Sequence, residues 1–294
     1  MIEKDLVLRT ALIAAGNNLK YVVKAMESDA DCVVLDLEDG VSNECKQDAR
    51  QGIKEFLSGD LLKLKPIFVR INSLSSGMLE KDLEAVVDKN LSGIVYPKVK
   101  SSDEIIHLSE LLSRKEKALG INRDHFKIIP IIETPLAMLN LQDITFSSKR
   151  IIALLLGAED LLADLEGYHV PGGRSLQAIR TQIALAARAA SVIPLDTPYL
   201  DVRNEIGLRE FIQPAKELGF EGMLAISPSQ IRVINDEYTP DRGEYDKARK
   251  MVEIADDLAA SGKCVAIKND LFVSAPTLKR ARKLIARYER INGE

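Results

Sequence analysis

Two apolar runs that each stop on an acid constrain this chain more than any other feature. Ile128-Ile129-Pro130-Ile131-Ile132 ends on Glu133, and Ile151-Ile152-Ala153-Leu154-Leu155-Leu156 ends on Gly157-Ala158-Glu159-Asp160. Short continuous apolar runs suit parallel strands buried on both faces. Glu133 and Asp160 are 27 positions apart, about one strand–helix–strand repeat of a parallel barrel. Consecutive parallel strands bring their C-terminal tips side by side, so the two acids meet. Two carboxylates held together repel each other unless a divalent cation lies between them. The pair therefore predicts a magnesium ion on Glu133 and Asp160. The alternative is helix capping, since Thr134-Pro135 and Leu161-Leu162-Ala163 follow the two acids.

The rest of the chain repeats this alternation. Strands are expected at residues 10–15, 32–35, 66–69, 93–96, within 193–200 and at 222–226. Helices are expected at 19–28, 42–57, 78–90, 101–119, 176–190 and 208–218. Eight apolar strands with amphipathic helices between them define an α/β chain, a (β/α)8 TIM barrel with a helical C-terminal extension. An open doubly wound sheet is the structural alternative, weakened by the lack of a G-x-G-x-x-G after the first strand. The barrel is expected over 1–229. Residues 230–294 form the extension: a charged helix at 241–260, a short extended segment at 263–272 and a basic helix at 276–290. A barrel offers no free edge, so the extension is expected to pack on its outside or on a neighbouring subunit.

Composition removes several function classes. The net charge of −4 gives no basic field for nucleic acid or membrane, and the absence of Trp argues against base-stacking platforms. Cys32, Cys45 and Cys264 show no C-x-x-C spacing, as expected for a cytoplasmic protein without a zinc or redox motif. The charged start Met1-Ile2-Glu3-Lys4-Asp5 reads as no signal peptide, and no run approaches the ~20 apolar residues of a membrane helix.

Charged residues collect at the strand tips. Glu38, Arg70, Lys98, Glu133 and Asp160 each follow an apolar run within a few residues, and in a barrel those ends form the catalytic rim. Arg70 can grip a carboxylate in two-point fashion or steady an enolate oxygen, or it can pair with a nearby acid; Lys98 has the same readings. Strand alternation puts Asp36 and Glu38 on one face and Asp39 on the other. Glu38 is then the acid that faces the metal's waters, with others of the three holding Arg or Lys in place. His107, His125 and His169 read as surface residues, and residues 167–173 as a glycine-rich flap or an ordinary connection.

Taken together, these residues resemble the citrate lyase beta-subunit-like proteins of the 2-oxoacid aldolase superfamily. The similarity is carried by Leu35-Asp36-Leu37-Glu38-Asp39-Gly40-Val41, Val69-Arg70-Ile71-Asn72, Pro97-Lys98-Val99, Ile132-Glu133-Thr134 and Gly157-Ala158-Glu159-Asp160-Leu161, with Ala186-Ala187-Arg188-Ala189-Ala190 and Gly207-Leu208 beyond. It runs from Arg9 to about Ile234. The resemblance implies an oligomer, Mg2+ on Glu133 and Asp160, and Arg70 in substrate binding; a homo-oligomer (trimer or hexamer) is expected, with Arg70 steadying the oxyanion, Glu38 or a metal-bound hydroxide as base, and Lys98 and Arg9 also in substrate binding. It implies cleavage of a 3-hydroxyacyl thioester, of citryl, malyl or citramalyl type on CoA or acyl carrier protein, to an acyl thioester and a 2-oxoacid. Three places depart from the family pattern: Ala14-Ala15-Gly16, Ile226-Ser227-Pro228 and Val273-Ser274-Ala275-Pro276. Ser274 stands where many members carry an acid/base aspartate, and a serine hydroxyl is no base near neutral pH without activation. Two alternatives follow: a class II-type aldolase on free hydroxy-oxo acids, and a non-catalytic or complex-dependent lyase subunit.

Overall fold

A computed structural model describes residues 6–59, 65–260, 265–268 and 271–293. The charged start at residues 1–5, Cys264 and part of the segment expected at 263–272 lie outside the described residues. The chain divides into two compact units, Leu8–Asp236 and a second of Glu237 onward with the residues before Leu8.

The first unit is a closed parallel barrel. Its strands are β1 (Thr10–Ala15), β2 (Cys32–Asp36), β3 (Ile67–Arg70), β4 (Gly93–Tyr96), β5 (Lys127–Ile132), β6 (Ala153–Leu156), β7 (Ile193–Asp196) and β8 (Gly222–Ala225). They pair in sequence order, and β8 returns to β1 through Thr10–Met223 and Leu12–Ala225. Burial follows from the apolar runs: every residue of β2, β4, β5, β6 and β8 is buried. The connecting helices are α1 (Leu19–Glu27), α2 (Lys46–Ser58), α3 (Leu79–Val86), α4 (Ser102–Leu119), α5 (Pro135–Leu139), α6 (Leu141–Phe146), α7 (Ala158–Asp164), α8 (Gln177–Ala190), α9 (Glu205–Glu217) and α10 (Ile231–Tyr238).

Helix α4 shows how sequence sets these elements. Asp103 and Glu104 sit in its first turn and Lys117 in its last, complementing the helix dipole. Gly120 ends it in the left-handed conformation at φ 65°. Ile105, Leu108 and Leu112, spaced three and four apart, form one fully buried stripe. Each such side chain contributes about 1.5–3 kcal/mol by leaving water.

The barrel is expected from the sequence to end at 229, and the first compact unit runs on to Asp236. The residues after β8 form α10, with Val233 and Ile234 fully buried and Asn235 accepting from the Thr10 hydroxyl at 2.7 Å. An eighth strand needs an eighth helix to cover it, and 231–236 supply one. The helix expected at 42–57 begins as a 3₁₀ turn, Asn43–Cys45, before α2. Ile151 makes only an isolated bridge to Ile128, so β6 starts at Ala153.

The second unit contains α11 (Arg242–Ala260), β9 (Ala266–Lys268), β10 (Leu271–Val273) and α12 (Ala275–Asn292), with β9 and β10 antiparallel. Tyr245 of α11 stacks on Tyr288 of α12 at 4.3 Å between centroids, and the Tyr245 hydroxyl donates to Glu289 at 3.1 Å. Among the described residues, no helix is long and apolar enough to cross a membrane.

Candidate active site at the strand tips

Register brings Glu133 and Asp160 together. Ile132 of β5 pairs with Leu156 of β6, so Glu133 and Gly157 leave the sheet side by side. Gly157 has to be glycine: a Cβ there would lie 2.5 Å from the Glu133 Cβ and 2.6 Å from its Oε2. Glu133 therefore lies across the start of α7, whose first turn carries Asp160. Glu133 Oε1 accepts the Lys98 backbone N–H at 2.5 Å. Lys98 offers that N–H from the left-handed region, φ 50°, where a non-glycine residue is strained. Burial first, then the nearby charges of Asp160 and Glu38, push the Glu133 carboxyl up to about 8; the Lys98 N–H and Arg70 pull the other way. Among the described residues, no Lys, Arg or His forms an ion pair with Glu133 or Asp160.

The tips of β2, β3 and β4 build the facing side. Asp36 and Arg70 are direct partners in the sheet. Arg70 Nε and Nη2 donate to the two Asp36 oxygens, both at 2.6 Å, a planar two-point grip. Asp36 also accepts the N–H groups of Glu38 (2.9 Å) and Gly40 (2.8 Å), which folds the loop back on itself. Burial opposes the Arg70 charge, but Asp36, Glu38 and Glu133 outweigh it and hold the guanidinium protonated. Lys98 Nζ bridges Glu38 Oε1 at 2.6 Å and Asp39 Oδ2 at 3.2 Å.

A cavity of about 220 Å³ lies between these two sides. Asp39, Arg70, Glu133, Glu159, Asp160, Thr197 and Leu224 are among its lining residues. Arg70 pairs with Asp36 and Glu38, and Lys98 with Glu38 and Asp39, so both cations are engaged by the acids of the β2 tip. Glu133 and Asp160 thus line one cavity without a side-chain ion pair among the described residues, and Arg70 offsets only part of what raises the Glu133 pKa. No three His, Cys, Asp or Glu residues form a metal cage among the described residues. A two-carboxylate site with room for water and ligand oxygens suits a hard octahedral cation such as Mg2+.

The sequence-predicted residues sort as follows. Glu38, Arg70, Lys98, Glu133 and Asp160 all reach the rim. Arg9 does not: it precedes β1, at the opposite end of the barrel, and its Nη2 pairs with Asp31 Oδ1 at 2.7 Å. Its place at the start of the family match says nothing about its height along the strand. Asp39, expected to point away, lines the cavity instead. β2 ends at Asp36, and strand alternation does not extend into the turn that Asp36 closes on Gly40. Glu38 is buried, and its oxygens already take Lys98 Nζ, Arg70 Nη1 at 3.3 Å and the Asp39 N–H at 3.0 Å. Burial is the largest influence on Glu38 and raises its pKa; Lys98 turns Asp39 the other way against its own burial. His169 of the 167–173 loop contacts Glu159 at 2.5 Å. Ser227 is half-buried and caps the 3₁₀ turn Pro228–Gln230. Ser274 starts α12, its N–H bonded to the Thr277 hydroxyl at 2.8 Å. Thr197 was not foreseen; only its place directly after a strand-ending acid could have flagged it.

A closed parallel barrel whose strand tips gather a carboxylate pair, a clamped arginine and a cavity is the frame of a barrel enzyme. The chain belongs to the HpcH/HpaI aldolase/citrate lyase family, whose model matches residues 9–228. It is 34% identical over 281 residues to the citrate lyase subunit beta of Escherichia coli, covering 96% of this chain and 93% of that protein. It is 29% identical over 287 residues to the mitochondrial citramalyl-CoA lyase of Rattus norvegicus, covering 94% and 85%. Its fold matches the crystal structure of protein CitE from Mycobacterium tuberculosis in complex with magnesium, acetoacetate and coenzyme A, with TM-score 0.77, 25% identity and coverage of 97% and 98%.

Proposed function

We propose that the chain is a Mg2+-dependent carbon–carbon lyase. It cleaves a 3-hydroxyacyl thioester of citryl, malyl or citramalyl type to an acyl thioester and a 2-oxoacid. The observation that carries this reading is that Glu133 and Asp160, which have no side-chain ion pair among the described residues, line one cavity with Arg70. The relatives supply the substrate class, and the M. tuberculosis protein's magnesium and coenzyme A support CoA as carrier.

Glu133 and Asp160 would hold the ion. When bound, Mg2+ supplies Lewis acidity that lowers the pKa of a coordinated hydroxyl and steadies the oxoacid oxygens. The chain's own residues do the rest. Asp36 locks Arg70 so that its guanidinium already stands beside the cavity when negative charge develops on the substrate. Lys98 ties Glu38 and Asp39 together and sets the height of Glu133 through its backbone N–H. Asp39, a cavity-lining carboxylate on the same side as Arg70 and Lys98, takes the hydroxyl proton on its Oδ. The oxygen's electrons close the new carbonyl, the adjacent C–C bond breaks, and its electron pair leaves on the thioester as an enolate, whose carbon takes up the proton removed by Asp39. Glu38 holds Arg70 and Lys98 in place rather than acting as the base. Lys98 Nζ reaches substrate only by exchanging one of its acids.

One observation favours the CoA-free reading: Ser274 is engaged in the start of α12 and offers no carboxylate to an acetyl group. The two substrate classes separate in one assay. Purified protein with Mg2+ is given citryl-, malyl- and citramalyl-CoA, and in parallel free 4-hydroxy-2-oxoacids, and oxoacid release is followed. Release from a thioester, abolished in Glu133→Ala, is expected; no release from any thioester sinks the thioester reading. Homo-oligomeric assembly as a trimer or hexamer and a cytoplasmic location belong to the same proposal, checked by light scattering and cell fractionation.

A further inference from the structure

Thr197 stands at the tip of β7, directly after Asp196. Its side chain is fully buried yet lines the cavity with Arg70, Glu133 and Asp160. Its hydroxyl oxygen accepts the backbone N–H of Ala158 at 3.1 Å. Ala158 is the first residue of α7, the helix that carries Asp160.

The first N–H groups of a helix have no partner inside it, and a side chain at the N-cap normally satisfies one of them. Helix α7 cannot do this for itself. Its N-cap is Gly157, without a side chain to offer, and the space a side chain would need is filled by Glu133. The same crowding that puts Glu133 beside α7 strips α7 of its own cap. At seven residues, α7 has little stability apart from its surroundings, so the position of its first turn depends on what meets it.

We propose that Thr197 is a positioning residue: it caps α7 from the neighbouring strand and so fixes Asp160 relative to Glu133. The tip of β7 is a rigid place from which to do this. Asp196 accepts from Arg180 Nε at 3.1 Å and Nη2 at 2.7 Å, and both side chains are fully buried. Arg180 also packs over the Phe211 ring at 4.3 Å. The cap is thus anchored by a buried ion pair that tethers β7 to α8 and by a ring from α9. The inference rests on the reading that Glu133 and Asp160 together hold the divalent cation.

The test compares Thr197→Val, which removes the hydroxyl at nearly constant volume, with Thr197→Ser, which keeps it. Mg2+ binding to the full chain is measured by calorimetry, with thermal midpoints and with kcat and KM alongside. Outer residues that orient metal ligands typically change affinity 10–100-fold. Thr197→Val is expected to weaken Mg2+ binding about tenfold or more and to lower kcat at a nearly unchanged KM, whereas Thr197→Ser stays within about threefold of the parent. Parent-like Mg2+ affinity in Thr197→Val overturns the proposal, even if its thermal midpoint falls. Equal weakening in Thr197→Ser also overturns it, since methyl packing would then be responsible. If Thr197→Val does not fold, Thr197→Cys, a weaker acceptor, reads the same quantity, and parent-like affinity there has the same meaning. A parent that binds no Mg2+, or a Glu133→Gln variant that binds it undiminished, identifies failure of the metal reading itself and removes this proposal with it.

Discussion

A buried glutamate stands near each end of the β5–β6 strand pair, and the two are treated in opposite ways. At the N-terminal end, Glu116 reaches from α4 to Arg150, and both side chains are 2% exposed. Glu116 accepts Arg150 Nη1 at 2.6 Å and Nη2 at 2.7 Å, and the N–H groups of Asp124 and Phe126 at 3.1 and 3.0 Å. Burial works to raise its pKa, but Arg150 and those N–H groups outweigh it and hold the carboxyl below its usual range. At the C-terminal end, Glu133 is just as hidden but receives one N–H group and faces Asp160, and its pKa rises to about 8. Burial alone does not mark a functional acid. What separates the two is whether the fold supplies enough donors to neutralise the charge.

The contrast can be broken from either end. The largest effect is expected at the rim. Glu133→Ala should lower oxoacid release about 10³-fold or more and abolish Mg2+ binding in calorimetry, while leaving the metal-free chain as stable as the parent. At the other end, Glu116→Ala strands the Arg150 charge and should cost about 3–5 kcal/mol in denaturant unfolding, with activity per folded molecule unchanged. If Glu133→Ala unfolds the chain, or Glu116→Ala spares stability but lowers turnover, the division of labour is wrong.

A smaller effect is expected at Arg70. Arg70→Lys keeps the charge but loses the two-point grip on Asp36, and steady-state kinetics should show kcat down about 100-fold. pH sharpens the comparison by sign. Glu116 has a depressed folded pKa, so its contribution is present above its unfolded value near 4.5 and is lost as pH falls through the folded one. Glu133 in the metal-free chain has a raised folded pKa, so its contribution is full below about 4.5 and lost as pH rises through about 8. Unfolding curves across pH should therefore flatten on the acid side in Glu116→Gln and on the alkaline side in Glu133→Gln. The smallest effect belongs to Lys98: Lys98→Gly relieves the positive φ and should be about 1 kcal/mol more stable than Lys98→Ala, although both lose the bridge between Glu38 and Asp39.

The barrel was legible because apolar runs with charged tips are a one-dimensional trace of a parallel closed sheet. That Glu133 and Asp160 share one cavity was legible for the same reason: register sets the ends of β5 and β6 side by side, and Asp160 lies one helical turn past β6. Legibility ended where side-chain direction is set by something other than the strand. Asp39 turns toward the cavity because Asp36 closes a turn on Gly40, which residue types do not announce. Arg9 opens the family match but precedes β1, at the end of the barrel away from the strand tips. Helix α10 hid behind the Ser227-Pro228 turn, with only eight residues to show a period. Thr197 is an ordinary threonine until Gly157 leaves a helix start without its cap.

Asn235 has a further consequence, for the order in which the barrel can form. It joins the Thr10 hydroxyl across 225 positions and donates to the Asp29 carbonyl across 206, at 2.7 and 2.8 Å. β1 finds β2 locally, but its other edge has no partner until β8 has been made. Contacts this distant in sequence form slowly, because the chain between them must first be ordered. Until they form, β1 is an open strand edge able to pair with another molecule's. Asn235 is the stitch that closes the ring, and weakening it should show first as aggregation during refolding rather than as a change in the finished site.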